Sequence, residues 1–268
     1  MNRNLWLGSV LVGLVVLAAL VSFVWTPHDP LKVDAAVRLT GPSGDYWLGT
    51  DKFGRDVLSQ IMVGARTTLY VGVIAVGVAA VIGTPLGILA GMSKRWLGEF
   101  VMRVNDLVLA FPALLLAIMF GAVFGASTVT AMIAIGIATI PSFARIARSG
   151  TLQVMSTEYV LAARSGGRSR PFIARRHVLP NIAGLVTVQC SVSFAIAVLA
   201  EAALSFLGFG TRPPTPSWGR MLQESQELLT VQPRLALVPG IAIAVAVLGF
   251  NILGDGLRDR FDPRLERR

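Results

Sequence analysis

Residues 158–181 read EYVLAARSGGRSRPFIARRHVLPN. The stretch is polar and rich in arginine, yet it stands between two long apolar runs, and its reading decides how the rest of the chain is laid out. Ser156 or Thr157 is placed to cap a helix, with Glu158 in the first turn, where the positive end of the helix dipole favours an acid. Val160, Ala162 and Ala163 give that helix a slim face suited to entering a groove. The pair Gly166-Gly167 breaks it, because Gly167 can take a positive φ and turn the chain sharply. Ser169 and Pro171 then begin a second short helix, predicted to stop before Pro180. Two readings fit such a protrusion: a rigid lever that docks into another protein, or an amphipathic loop whose arginines rest on anionic lipid.

What flanks this stretch is mostly hydrocarbon. Of 268 residues, 54% are apolar and 15% charged, and mean hydropathy is +0.67. Soluble domains carry about 25% charged residues, so the composition points away from a soluble globular enzyme. Runs long enough to cross a bilayer predict an all-α polytopic membrane protein with six transmembrane helices, near 5–25, 69–91, 107–125, 129–147, 183–204 and 235–254. The first run has a basic head and small residues at Ala18-Ala19, as a cleaved leader would. Its length and the interfacial Trp25 predict an uncleaved span instead.

Between the first two spans, Leu48-Gly49-Thr50-Asp51 reads as a turn, and 55–63 as either a helix on the membrane surface or a solvated connector. Gly83, Gly87 and Gly91 recur every four residues and offer one small face to a neighbouring helix, in a region that Pro85 would kink. Asp106, at the edge of the third span, is expected to pair with Arg103 rather than to act as a functional acid. Residues 205–234 form an irregular loop, and 255–268 a charged tail. From topology alone, Glu201 and Trp218 are candidates to face a path through the bundle or a partner on that side.

Six spans place both termini on one side. Of the 24 Lys and Arg residues, 16 fall on that side, including seven arginines between Arg145 and Arg176. By the positive-inside rule the termini and the 158–181 stretch are cytoplasmic. The net charge of +9 is thereby read as orientation, not as a nucleic-acid surface.

Energy-capturing and catalytic motifs are missing from the sequence. The three lysines, Lys32, Lys52 and Lys94, do not follow glycines, so there is no P-loop. Neither H-E-x-x-H nor G-x-S-x-G occurs, Cys190 is the only cysteine, and His28 and His177 lie far apart, so no catalytic residue and no metal site is assigned. The spans lack the relay of ionisable groups expected of a proton-coupled carrier. A pathway powered by something else is what remains.

The order Ala162-Ala163, Gly167, Leu179-Pro180-Asn181 resembles the cytoplasmic "EAA" loop of ABC importer permeases, in the spacing of their dipeptide/oligopeptide branch. Leu161 stands where that motif has its glutamate and His177 where it usually has isoleucine. Glu158, three residues upstream on nearly the same helix face, is a further candidate for the acid's role. Three other segments resemble the C-type permease of that branch: LGTD at 48–51 with GRDV at 54–57, LSFLG at 204–208 with PPTPSWG at 213–219, and NILGDGLRDRFDP at 251–263. The resemblance implies a type I ABC importer permease fold in the bacterial plasma (inner) membrane. Residues 1–66 would hold the first helix and an extracytoplasmic segment, and 67–268 the permease core with its coupling loop at 148–182. It implies a heterodimer with a homologous permease, two ATP-binding subunits that carry ATP and Mg, an extracytoplasmic binding protein and a peptide substrate, with no cofactor in this chain. Glu158, Ala162, Ala163, Gly167, Leu179 and Pro180 would then be the residues that couple to the ATPase. A metal chelate or glutathione as cargo, or a lipid-interacting receptor or enzyme, are the alternatives.

Overall fold

The computed structural model describes residues 3–125 and 127–261; Asp262, Pro263 and the rest of the expected charged tail lie outside the described residues. Helix α1 (Arg3–Val24) is followed by a long connector and then by α2 (Val57–Met92), α3 (Arg95–Ala110), α4 (Ala113–Phe124) and α5 (Thr128–Met155). After these come α6 (Glu158–Ser165), α7 (Arg170–Ile173), a π-helical turn at Ala174–Val178, α8 (Leu179–Phe206), α9 (Trp218–Ser225) and α10 (Arg234–Phe261). Among the described residues the β pairing is a single bridge, Thr50 to Asp56. Among the described residues five helical runs are long and apolar enough to span a membrane, and α3 with α4 makes a sixth if that bent pair is counted as one.

Small residues set how closely the helices approach. On α2, a Cβ on Gly83 would meet that of Phe143, on Gly87 that of Ala147, and on Gly91 that of Thr151. The two rows, each stepping by four residues, mesh along α2 and α5 as the glycine spacing predicts. Pro85 sits inside this helix without ending it. On the other side of the bundle α1 packs along α10, with Gly8 against the backbone of Leu253, Gly249 against Leu11 and Gly256 against Leu5. Since residue 5 lies beside 256 and Phe261 lies against Gly184 at the start of α8, both described termini and the 158–181 stretch share one end of the bundle.

Three expectations are corrected. Residues 55–63 are neither a surface helix nor a connector: Asp56 caps α2 by accepting from the Ser59 amide at 3.0 Å, and the 36-residue helix runs on unbroken, about 54 Å long at 1.5 Å per residue. The division expected at residue 66 therefore falls inside α2. The third span is broken by 80° between α3 and α4. Pro112 has no amide proton and pushes Phe111 into an extended conformation (φ −85°, ψ 126°), so the helix stops and restarts. Asp106 does pair with an arginine, but with Arg145 on α5 at 2.6 Å, because the amphipathic α3 packs across that helix. Both partners are half-exposed, so the pair contributes at most about 1 kcal/mol.

The end of the bundle away from the termini is closed by polar knots. The Asp51 carboxylate accepts from the amides of Phe53 (2.8 Å) and Arg55 (3.0 Å) and from Gln60 Nε2 (3.0 Å). Arg55 pairs with Asp51 and with Glu224 of α9, so the LGTD and GRDV segments fold into one turn held to α9. Arg234, at the first position of α10, donates to the carbonyls of Leu48 (2.7 Å), Thr40 (2.7 Å) and Thr50 (3.0 Å). Its fork ties together three backbone acceptors of this loop, of which Thr40 O also accepts from the Thr50 amide at 3.0 Å. Arg234→Ala should cost about 3 kcal/mol, seen as a lower melting temperature and faster proteolysis within residues 35–56. Arg234→Lys should recover less than half, since an ammonium lacks the planar fork.

Candidate functional site

The 158–181 stretch projects from the end of α5 and returns into α8. Helix α6 ends in a Schellman arrangement: the Gly167 amide donates to Arg164 O (3.0 Å) and the Arg168 amide to Ala163 O (3.1 Å). Gly167 carries φ +75°, as the predicted sharp turn requires, and a Cβ there would meet nothing within 4 Å. Glycine is needed here for its backbone, not for space.

The protrusion is anchored from beneath. Val160 is fully buried with Val154, Ile173, Val178 and Ile182 in a small core that also includes Ala147 of α5. Val160 thus does not share the outward face expected for it; it ties α6 to α5 and α8. Glu158, Ala162, Gly167, Leu179 and Pro180 are all exposed and Ala163 is half-buried, with Leu179 turned along the groove between α2 and α8. Neither Ser156 nor Thr157 caps α6 with its side chain. Their hydroxyls donate backwards, to Gln153 O (2.8 Å) and Val154 O (2.6 Å), and Ser169 makes no side-chain cap either.

The second helix does not stop before Pro180. The π turn widens the backbone so that the Leu179 amide reaches Ala174 O, and Pro180, having no amide proton, then falls in the first turn of α8. Asn181 Nδ2 donates to His177 O at 2.6 Å, giving that carbonyl a partner. His177, which replaces the usual isoleucine, has its ring 5.7 Å from Tyr159 and 5.9 Å from Phe172, centroid to centroid. It clasps α6 to α7 where an aliphatic side chain would only fill space. Sequence reading did not foresee this role; the aromatic residues at 159 and 172 were its only signal.

Leu161, in the place of the motif's glutamate, is exposed. Glu158 has no ion-pair partner among the described residues, and neither do Arg164, Arg168, Arg170, Arg175 and Arg176. Arg168 instead stacks over the Phe172 ring, 4.9 Å from its centroid. The outer surface is therefore a rigid, strongly cationic knuckle with a smooth alanine–glycine patch.

Glu201 and Trp218 are placed differently from the expectation that they face a pathway or partner. Both are buried, at 1% and 2% exposure. Glu201 accepts from the hydroxyls of Ser205 (2.6 Å) and Thr211 (3.2 Å), holding the loop after α8 against that helix. Trp218 donates from Nε1 to Ile61 O at 3.0 Å and packs on Gly64, where a Cβ would meet its ring at 2.7 Å. Each joins α8 or α2 to the polar end of the bundle. Among the described residues no group of His, Cys, Asp and Glu is arranged to hold a metal ion.

Residues 83–267 match the family model described as binding-protein-dependent transport system inner membrane component. The dipeptide transport system permease protein DppC of Alkalihalophilus pseudofirmus is 40% identical over 265 residues, which cover 99% of this chain and 87% of that protein. The glutathione transport system permease protein GsiD of Pectobacterium atrosepticum is 40% identical over 263 residues, covering 96% and 87%. Among solved structures, a chain of the MetNI methionine ABC transporter in an inward-facing form superposes with a TM-score of 0.64 at 16% identity. The match covers 76% of this chain and 96% of that one, a likeness of fold.

Proposed function

Since this chain belongs to the family of binding-protein-dependent transport system inner membrane components, we propose that it is one of two homologous permease subunits enclosing a path for peptides. Two ATP-binding subunits, which carry ATP and Mg, dock below the permease pair, one of them seating the Ala162–Gly167 side of this chain's knuckle in its groove, and an extracytoplasmic binding protein delivers cargo to the opposite end. The excess of lysine and arginine on the side of the termini supports a cytoplasmic knuckle.

The observation that carries this reading is the combination of an exposed Ala162–Gly167 patch with an anchored underside. Val160, Ile173 and Val178 lock the knuckle to α5 and α8, so a push on Ala162 and Ala163 moves those two helices together instead of bending a loop. When ATP draws the ATPase subunits together, their grooves displace the knuckle and the helices rock between inward- and outward-open arrangements. ATP and the loaded binding protein then bias one two-state equilibrium from its two ends. Hydrolysis belongs to the partner subunits.

Peptide is the cargo supported by the dipeptide-transport relative, and glutathione, itself a small peptide, by the other. Reconstitution of the chain with its co-purified subunits tests the whole reading. ATP hydrolysis should rise several-fold with loaded binding protein, across a panel of dipeptides, longer peptides and glutathione. An activity in the isolated chain with no accompanying ATPase would instead identify a lipid-interacting enzyme or receptor.

A further inference from the structure

A cleft of about 690 Å³ opens between the second half of α2 and the beginning of α8. Apart from the hydroxyls of Thr84 and Ser93, the side chains of its α2 and α8 walls are apolar: Val81, Leu89 and Met92 belong to one, Leu179 and Val186 to the other. Val81 is 73% exposed and Leu89 51%, so the described residues leave much of this wall uncovered. Where α2 ends, the lining changes to Arg170 and Arg175, on the turns that lead into α8. Neither guanidinium has a carboxylate within 4 Å among the described residues. The cleft is thus apolar along α2 and α8 and doubly cationic at the end where α2 stops.

We infer that this cleft seats an anionic glycerophospholipid, with acyl chain between α2 and α8 and headgroup phosphate on Arg170 and Arg175. Charge complementarity selects the occupant. A neutral lipid or a purely apolar helix would cover the walls but leave two cations without a counter-charge at the boundary. Basic pockets between transmembrane helices at the cytoplasmic side bind anionic headgroups, each basic residue strengthening binding about fivefold. Guanidinium groups add paired hydrogen bonds to phosphate. The lipid would also wedge the junction through which the knuckle moves α8, and its seat does not depend on which cargo is carried.

The test uses the full-length chain, purified with the subunits that accompany it, in nanodiscs of phosphatidylcholine containing one-fifth phosphatidylglycerol. After detergent exchange, retained lipid is measured by mass spectrometry. The wild type should retain phosphatidylglycerol well above its share of the bilayer. Arg170→Gln with Arg175→Gln should weaken that preference by about 30-fold, and Val81→Trp, which fills the cleft without touching a charge, should reduce retention as well. Arg164→Gln with Arg168→Gln, equal in charge lost but outside the cleft, should keep it. Retention unchanged in the Arg170/Arg175 variant, or equal losses in both arginine pairs, would overturn the inference. So would a cysteine at position 81 that cross-links to a helix of a co-purified subunit and not to a photoreactive lipid.

Discussion

Ala162→Trp is expected to abolish ATP-driven uptake while leaving the bundle folded and in the membrane. Ala162 is exposed, and a substitution at such a site shifts stability by no more than about 0.5 kcal/mol. In the docked state the same side chain would occupy space that a partner groove has shaped around a methyl group. Overpacking of that kind costs about 3 kcal/mol, or roughly 100-fold in docking. The signature is specific: normal expression, normal melting temperature, residual ATPase activity, and no coupling of that activity to transport. Full uptake by the variant would show that the knuckle is not the seat of the ATPase.

The second large effect concerns the fold. Gly87→Leu should destabilise the protein by about 3 kcal/mol or more, because its Cβ alone would stand 2.6 Å from that of Ala147 and 2.9 Å from the Arg148 amide nitrogen. Backbone atoms cannot step aside, so α2 and α5 must separate along the meshed rows. A Cβ on Gly77, ten residues earlier on the same helix, would meet nothing within 4 Å, so Gly77→Leu should cost far less than Gly87→Leu. Melting temperatures of the two variants in one detergent decide the matter. Helix propensity favours leucine over glycine at both positions, so equal losses would contradict the close-packing account.

Much of this was legible in the residues. The spans showed themselves because apolar runs of bilayer length have few other uses, and Gly83, Gly87 and Gly91 announced a close helix pair by spacing alone. The Gly167 turn followed from the one residue type that takes φ +75° freely. What escaped was whatever depends on distant partners. Asp56 and Ser59 do spell a helix start, but the charged residues before them hid how far α2 extends. Val160 was assigned to the outer face because helical periodicity gives the angle between residues, not which side meets the core. For Glu201 and Trp218, topology gives the end of the bundle they occupy but not whether they face inward or outward. The hydroxyl of Ser205, one turn along the same helix, pointed to internal satisfaction. The three-carbonyl clasp of Arg234 joins residues nearly two hundred apart, which no local pattern discloses.

Site-specific cross-linking from position 162 tests the proposed coupling most directly. Cys190 is the only native cysteine, so Cys190→Ser with Ala162→Cys gives one reactive thiol on the knuckle. In the purified complex this thiol should cross-link to an ATP-binding subunit, with a yield that changes between the nucleotide-free state and ATP held by a hydrolysis-deficient ATPase. An intact complex in which position 162 reaches only lipid or solvent, in either state, would contradict the assignment.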